Sequence, residues 1–205
     1  MSYKTEQEAF WAGEFGNIYI DRNTFEEGVR KRLGLWAQVL RYISKLDTVI
    51  EFGANVGVNL RALRALVPGI KASAIEINQI AVDQLKRLFL DEVFHQSILN
   101  FQPTKSYDLT FTSGLLIHVN PDYLPQIYGK LYQASSRYIC ICEYYNPTPV
   151  EVGYRGHHQK LFKRDFAGEM LDIFPDLELI AYRFVYHRDP HFPADDVTWF
   201  LLQKR

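Results

Sequence analysis

The stretch VIEFGANVGVNL, at positions 49–60, constrains the fold of this chain more than any other. An apolar run typical of a buried strand ends near the carboxylate Glu51, and Gly53 and Gly57 precede a helical pattern. Gly53 allows a sharp turn with its backbone close to a ligand, and Gly57 removes the side chain where the helix begins. Backbone N–H groups there can face a carboxylate or a ribose. The stretch predicts a ligand site between a strand and a helix.

The glycine spacing distinguishes between ligand classes. A dinucleotide fingerprint requires glycine at positions 53, 55 and 58, but this chain has Asn55 and Val58, so NAD is disfavoured. An ordinary turn in an unrelated α/β protein would explain the glycines alone. Glu76 adds to the pattern, because it ends the next apolar run, 25 residues after Glu51. A carboxylate at that place can accept both hydroxyls of a ribose.

Strand and helix patterns alternate through most of the chain. We predict strands at 48–52, 71–76, 93–95, 107–111, 138–142, 177–186 and 198–203, and helices at 24–46, 57–66, 79–90, 121–134 and 163–174. This alternation is typical of βαβ units. We therefore predict an α/β, Rossmann-like fold with a mostly parallel seven-stranded sheet, an antiparallel C-terminal hairpin and helices on both faces.

The length and composition indicate one unit. With 205 residues, 47% of them hydrophobic, the chain can bury one full core, and we predict a single domain over 1–205. Within it we expect an N-terminal lid and helix at 1–46, a cofactor-binding core at 47–142 and a substrate-side region at 143–205.

The charge balance narrows the range of partners. The 23 basic and 24 acidic residues give a net charge of -1, which provides no electrostatic basis for binding nucleic acid or an anionic membrane. The N-terminus is polar, and no stretch approaches the roughly 20 apolar residues that span a bilayer. We expect a cytoplasmic protein, monomeric or homodimeric, with a small-molecule substrate.

Two more segments follow predicted strands, FHQSIL at 94–99 and the residues Thr112, Ser113 and Gly114. Together with the glycine turn and Glu76, they resemble class I S-adenosylmethionine-dependent methyltransferases. That family usually has an acidic residue after the third strand that binds the adenine amine, whereas this chain has Gln96 and Ser97 there.

The resemblance implies that the Rossmann-like fold is a methyltransferase fold. It also implies S-adenosylmethionine as cofactor, S-adenosylhomocysteine as product and no metal. The cofactor residues that we expect are Tyr19, Arg22, Asn23, Glu51, Gly53, Asn55, Gly57, Asn59, Glu76, Ile77, Ser97, Ile98, Thr112, Ser113 and Gly114. Arg22 is expected to pair with the methionyl carboxylate, although a surface arginine without a partner is an alternative.

Four segments, 10–23, 114–121, 143–152 and 161–170, are similar to the methylases found with pseudaminic acid biosynthesis. This resemblance implies methylation of an oxygen or nitrogen of a small, acidic, sugar-derived metabolite. Two alternatives stay open. One is a methyltransferase for another small acid or amine, and the other is a methyltransferase-like binding module without turnover.

Catalytic and substrate residues are expected after the fourth and fifth strands. His118 is a candidate general base for a hydroxyl acceptor, with packing or capping as the alternative. We expect Tyr145 to be catalytic and Tyr144 and Asn146 to bind substrate, unless these aromatic rings only wall the cleft.

The segment 143–164 carries an excess of positive charge. We predict that Arg155 recognises an anionic acceptor, assisted by Lys163 or Arg164. His157 and His158 are adjacent in this segment, but no third ligand accompanies them at a metal spacing, so we predict no metal site.

Overall fold

The computed structural model describes residues 3–21 and 25–205. The strands are β1 (Thr48–Phe52), β2 (Lys71–Glu76), β3 (Glu92–His95), β4 (Tyr107–Ser113), β5 (Ser135–Glu143), β6 (Val150–Glu151), β7 (Phe162–Lys163), β8 (Leu177–Val185) and β9 (Val197–Lys204). The α-helices are α1 (Glu6–Ala12), α2 (Glu14–Asp21), α3 (Phe25–Leu40), α4 (Val58–Leu66), α5 (Gln79–Lys86), α6 (Leu124–Ala134) and α7 (Phe166–Ile173), and 3-10 helices cover Leu116–His118 and Pro121–Tyr123.

Seven of the described strands form one sheet in the order β3-β2-β1-β4-β5-β9-β8. The first five run parallel, and β9 is antiparallel to both β5 and β8. The predicted fold class is therefore confirmed. The strand order reverses at β1. The connections after β1 and after β4 therefore lead to opposite sides and leave a crevice at the carboxyl ends of these two strands.

Apolar residues fill both faces of the sheet. On one face α3 packs on the central strands, where the Trp36 and Phe111 rings meet edge to face at 4.6 Å. On the other face α6 and α7 cover residues such as Ile139 and Ile141. Because helices cover both faces, the central strands read as nearly continuous apolar runs.

Three predicted helices end or begin elsewhere. The helix predicted at 24–46 ends at Leu40, where turn bonds replace the helical ladder. The helix predicted at 79–90 ends at Lys86, and Phe89 adopts the left-handed φ of 52°. The helix predicted at 163–174 begins at 166, because Asp165 caps it by accepting the N–H of Gly168 at 2.8 Å.

The helices α1 and α2 form a lid, which we define as residues 4–21. Thr5 and Glu8 form a capping box that starts α1. The lid docks through Asn17, whose Oδ1 accepts from the Asn78 amide at 2.8 Å, and through Gln7, whose amide donates to the Gln159 carbonyl at 2.9 Å. Within the described ranges, no helix is long and apolar enough to cross a membrane.

Candidate active site

A cavity of about 390 Å³ lies at the carboxyl ends of the parallel strands, beneath the lid. This is the edge at which open α/β sheets bind ligands. The structure brings many of the predicted site residues to its wall. These are Tyr19, Glu51, Gly53, Asn55, Asn59, Glu76, Ile77, Ser97, Ile98, Ser113, Gly114, His118 and Tyr144.

The turn after β1 owes its shape to left-handed residues. Gly53 has a φ of 71°, Asn55 of 48° and Gly57 of 78°. A Cβ on Gly53 would lie 2.6 Å from Leu115 in the cavity wall. Gly57 is absent from that wall, and a Cβ there would meet Leu88 at 2.7 Å. The structure thus gives Gly57 a role in packing rather than in the predicted cofactor contact.

The Glu76 carboxylate is held by backbone donors. Its Oε1 accepts the N–H groups of Ile77 and Asn78 at 2.8 Å each, and its Oε2 accepts the N–H of Asn55 at 2.7 Å. Burial raises the pKa of Glu76, and the three N–H donors oppose that rise. Each carboxylate oxygen can accept about two hydrogen bonds, so Oε2 retains capacity for a hydroxyl.

Glu51 is 1% exposed, and among the described residues only one of its two carboxylate oxygens has a hydrogen-bond partner. Its Oε1 accepts from the Asn59 amide at 2.7 Å, and the Asn59 Oδ1 accepts from the Trp36 indole at 3.1 Å. Among the residues that the structure describes, Oε2 of Glu51 has no hydrogen-bond partner. Burial raises the pKa of Glu51 well above its usual range. A buried acceptor without a partner favours a ligand that donates, and a cationic donor most of all.

His118 has a defined tautomer. Its Nδ1 lies 2.6 Å from the carbonyl oxygen of Lys160. Since a carbonyl only accepts, Nδ1 carries the proton and Nε2 carries the lone pair. Burial lowers the pKa of His118 to about 4. The ring lies 4.4 Å from Trp11 and 5.0 Å from Tyr154, centroid to centroid. His118 is therefore a neutral acceptor in an aromatic wall.

Glu143, at the end of β5, anchors the loop that carries His118. Its Oε1 accepts the N–H groups of Leu115 and Leu116 at 3.1 Å each, and its Oε2 accepts the N–H of Ile117 at 3.4 Å. Burial raises the pKa of Glu143 to about 7. We did not predict this role, although an acidic residue at a buried strand end was a signal.

The structure does not bring Tyr145 and Asn146 to the cavity, contrary to the sequence prediction. Tyr145 is 42% exposed, and its ring lies 5.7 Å from Phe200. The Asn146 amide donates to the Thr148 carbonyl at 2.6 Å. Thr112 is buried in β4 and is also absent from the wall. After β5, Tyr145 forms a β-bridge with Arg164, and of these three residues only Tyr144 lines the cavity.

The predicted cations are likewise outside the wall. Arg155 is exposed, with its guanidinium 5.7 Å from the Tyr154 ring centroid. Lys163 lies over the Tyr144 ring, and Arg164 pairs with Glu169 at 2.7 Å. The prediction that these three contact an acceptor is not supported by their positions. Arg22 and Asn23 lie outside the described residues.

Several wall residues were not predicted. They are Trp11 and Glu8 of the lid, Lys31 and Arg32 of α3, and Tyr154 of the loop after β6. The aromatic enrichment of the N-terminal segment was the available signal for Trp11. Nothing in the local pattern distinguished the two α3 cations from a solvated helix face. In the described part of the chain, no three metal-ligating side chains are grouped.

The sequence matches no protein-family model and no curated protein. Solved structures do resemble the fold. The 1,6-didemethyltoxoflavin-N1-methyltransferase of Burkholderia thailandensis, solved with S-adenosylhomocysteine, is 13% identical with a TM-score of 0.74, over 100% of this chain and 91% of that one. The plantazolicin methyltransferase BpumL, also solved with S-adenosylhomocysteine, is 13% identical with a TM-score of 0.65, over 97% and 94%.

A third structure matches over the whole of both chains. The magnesium protoporphyrin IX methyltransferase ChlM of Synechocystis PCC 6803, solved with S-adenosylmethionine, is 10% identical with a TM-score of 0.67, over 100% of this chain and 100% of that one. At such identities the likeness concerns the backbone. This chain has the Rossmann-like fold of S-adenosylmethionine-dependent methyltransferases.

Proposed function

We propose that this chain is an S-adenosylmethionine-dependent methyltransferase acting on an oxygen or nitrogen of a small, acidic, sugar-derived metabolite. One observation carries the proposal: two buried carboxylates, Glu51 and Glu76, face one cavity on either side of the Gly53 turn. The cofactor offers a donor group for each, an ammonium at its methionine end and two hydroxyls on its ribose. The structural neighbours solved with this cofactor or its product support the assignment.

The cavity residues fit this cofactor. Glu51 Oε2 lacks a partner among the described residues, and the ammonium would supply one. Glu76 Oε2 has room for a ribose hydroxyl beside the N–H of Asn55. Gly53 lines the cavity, and Leu115 lies 2.6 Å from the place where its Cβ would be, so only glycine fits this turn. Ile77 and Ile98 supply apolar surface near the base.

When bound, S-adenosylmethionine supplies a methyl group on a positively charged sulfur. The chain must then hold the acceptor in line, exclude water and receive the acceptor's proton. The lid provides the cover through Trp11, and His118 Nε2 provides a lone pair for a hydroxyl proton. Nε2 would take up the proton that a hydroxyl acceptor loses when it is methylated, while the sulfur would keep the electrons of its broken bond to the methyl group. A neutral amine acceptor does not need the base.

An acidic acceptor would be bound by Arg32 in this proposal. Arg32 lines the cavity, and its charge acts on both Glu51 and Tyr144. Tyr144 and Tyr154 offer ring faces for a sugar beside it. The resemblance to the pseudaminic acid-associated methylases motivates the choice of a sugar-derived acid.

Binding and product formation test the proposal separately. Calorimetry should show that S-adenosylmethionine binds and that NAD does not. Formation of S-adenosylhomocysteine should then be measured with matched acidic and neutral sugars. Cofactor binding without product on any acid or amine would favour the binding module, and preference for NAD would refute the proposal.

Two arginine variants test the acceptor class. We expect R32Q to lose the preference for the acidic sugar, because the wall then lacks that cation. R155Q is the matched control, since Arg155 lies outside the cavity, and it should keep the preference. The reverse result would restore Arg155 as the recognition residue.

A further inference from the structure

The lid places a carboxylate in the cavity wall beside the loop after β3. Glu8, on α1, accepts a hydrogen bond from the Ser97 hydroxyl through its Oε1. Its Oε2 accepts the backbone N–H groups of Lys4 at 2.5 Å and Thr5 at 3.2 Å. Both Glu8 and Ser97 line the cavity. The orientation of this carboxylate is thus fixed from two sides, with Oε1 toward the loop.

This carboxylate lies on the β3 side of Glu76. Glu76 is in register with His95, and the N–H of Gln96 donates to the Glu76 carbonyl at 3.1 Å. His95 is therefore the neighbour of Glu76 on β3, and Ser97 lies two residues after His95. A ligand whose ribose is held by Glu76 directs its base either toward this loop or toward the methyl end at β4. In the proposed function the methyl end lies near His118, so the base would lie toward Ser97.

Apolar residues adjoin Glu76 and Ser97 in the sequence. Ile75, Ile77, Ile98 and Leu99 line the cavity. Such walls suit the faces of a flat heteroaromatic ring. A carboxylate at the end of an apolar slot selects a ring with a donor on its edge. The exocyclic amine of adenine is such a donor.

We propose that Glu8 recognises the adenine amine. Its Oε1 would accept a hydrogen bond from the amine beside the one from the Ser97 hydroxyl. The inference rests on the proposed function and adds a residue that binds the cofactor base. It also explains how the chain manages with Ser97 at a position next to β3 where a carboxylate would have served. Because Glu8 belongs to the lid, recognition of the base and closure of the lid become one event.

The test compares two ligands that differ at the base alone. S-adenosylhomocysteine presents an amine that donates, whereas S-inosylhomocysteine presents a carbonyl that accepts and is repelled by a carboxylate. We expect the unmodified protein to bind the adenine compound at least about tenfold more tightly by calorimetry, the factor for one hydrogen bond to a charged group. In E8Q this ratio should fall to within about threefold, since an amide both donates and accepts.

The variant E8Q keeps the capping box, because glutamine serves at that position as well as glutamate does. E6Q is the matched control. It removes one negative charge from the same helical turn, where Glu6 is 83% exposed and pairs with Lys160 at 3.3 Å, away from the cavity. We expect E6Q to keep the full preference for adenine. Thermal unfolding of both variants checks that the fold is intact.

Each result has one meaning. Equal weakening of both ligands in E8Q, with the ratio unchanged, would show that Glu8 only latches the lid and would overturn the inference. An unmodified protein that binds both ligands equally would overturn it as well. Absence of binding by either ligand would refute the proposed function itself.

Discussion

At the scale of single residues, one hydrogen bond decides what His118 can do. Its Nδ1–H donates to the Lys160 carbonyl, so the lone pair is confined to Nε2. Burial lowers the pKa of His118 to about 4, and the ring is therefore neutral throughout the physiological range. A ring with this pKa is a weak base, but its Nε2 lone pair is unprotonated at every physiological pH. Its contribution must come from position, which is why the Lys160 contact and the aromatic neighbours matter.

The His118 assignment predicts a large loss of turnover with no loss of cofactor. We expect H118A to lower turnover on a hydroxyl acceptor by about 10²-fold, the range for a positioned base. Cofactor affinity, measured by calorimetry, should stay the same. For the unmodified protein, turnover should be flat from pH 8 down to about pH 5 and then fall as the ring is protonated. A change of only a few-fold in H118A would favour the packing role.

A second residue-scale prediction concerns Glu76. We expect E76A to weaken S-adenosylmethionine binding by about 1.5–3 kcal/mol, the range for hydrogen bonds to a charged group. D83N is the control, because Asp83 is exposed on α5 and pairs with Lys86 at 3.9 Å. Calorimetry on folded protein compares the two. An E76A affinity equal to that of D83N would remove Glu76 from the site.

At the scale of elements, the turn between β1 and α4 combines backbone conformation with close approach. Gly53 has a φ of 71° and faces Leu115, whereas Gly69 has a φ of 88° and nothing within 4 Å of an added Cβ. We expect G69A to lose about 1–2 kcal/mol of stability from backbone strain alone. G53A should lose more stability and also lose cofactor affinity. Denaturant unfolding and calorimetry check both, and unchanged affinity in folded G53A would place the ligand elsewhere.

The central strands were predictable because burial on both faces leaves an apolar run in the sequence, whereas the two-residue strands β6 and β7 were not predicted. The bounds of β1 and β2 agree with the sequence prediction residue for residue. The two lid helices were missed, since α1 and α2 are short and their aromatic residues do not follow a periodic core pattern. Trp11 and Tyr19 line the cavity, whereas Phe10 and Phe15 stack on each other. Short helices are stabilised mainly by tertiary contacts, such as that of Asn17 with Asn78.

The same distinction holds for the site. Gly53, Glu76 and His118 were predictable because each follows a strand, and strand ends meet at one edge of a parallel sheet. Tyr145 and Arg155 do not line the cavity, and their positions could not be predicted because loops after β5 do not follow a fixed period. Arg32 reaches the cavity from a helix whose pattern shows only that one face is polar.

At the scale of the whole molecule, three buried acidic residues lie at the carboxyl ends of the parallel strands, the edge of the sheet that holds the cavity. Glu51, Glu76 and Glu143 are all less than 9% exposed, and burial raises the pKa of each. Glu51 is the last residue but one of β1, and Glu76 and Glu143 end β2 and β5. Burial thus disfavours the charged form of these acids, and a cationic ligand would favour their negative charge. The same charge lowers the stability of the ligand-free protein as these groups ionise.

Glu143 makes this effect measurable, because its pKa rises from 4.5 to about 7 on folding. Between these values the folded state keeps a proton that the unfolded chain has lost, so the contribution of Glu143 is fully present below pH 4.5 and disappears as the pH passes 7. The difference corresponds to about 3 kcal/mol. In E143Q the amide stays neutral at every pH, and its carbonyl can still accept from Leu115 and Leu116.

We therefore expect the melting temperature of E143Q, relative to that of the unmodified protein, to rise between pH 5 and pH 8. The variant is expected to be the less stable of the two at pH 5, where it has lost the contact to Ile117, and to gain at pH 8, where the unmodified protein carries a buried charge. E178Q is the control, since Glu178 is an exposed carboxylate paired with Arg205 at 2.5 Å. Its relative melting temperature should be nearly constant. A constant difference for E143Q too would mean that Glu143 is ionised in the folded protein at pH 5.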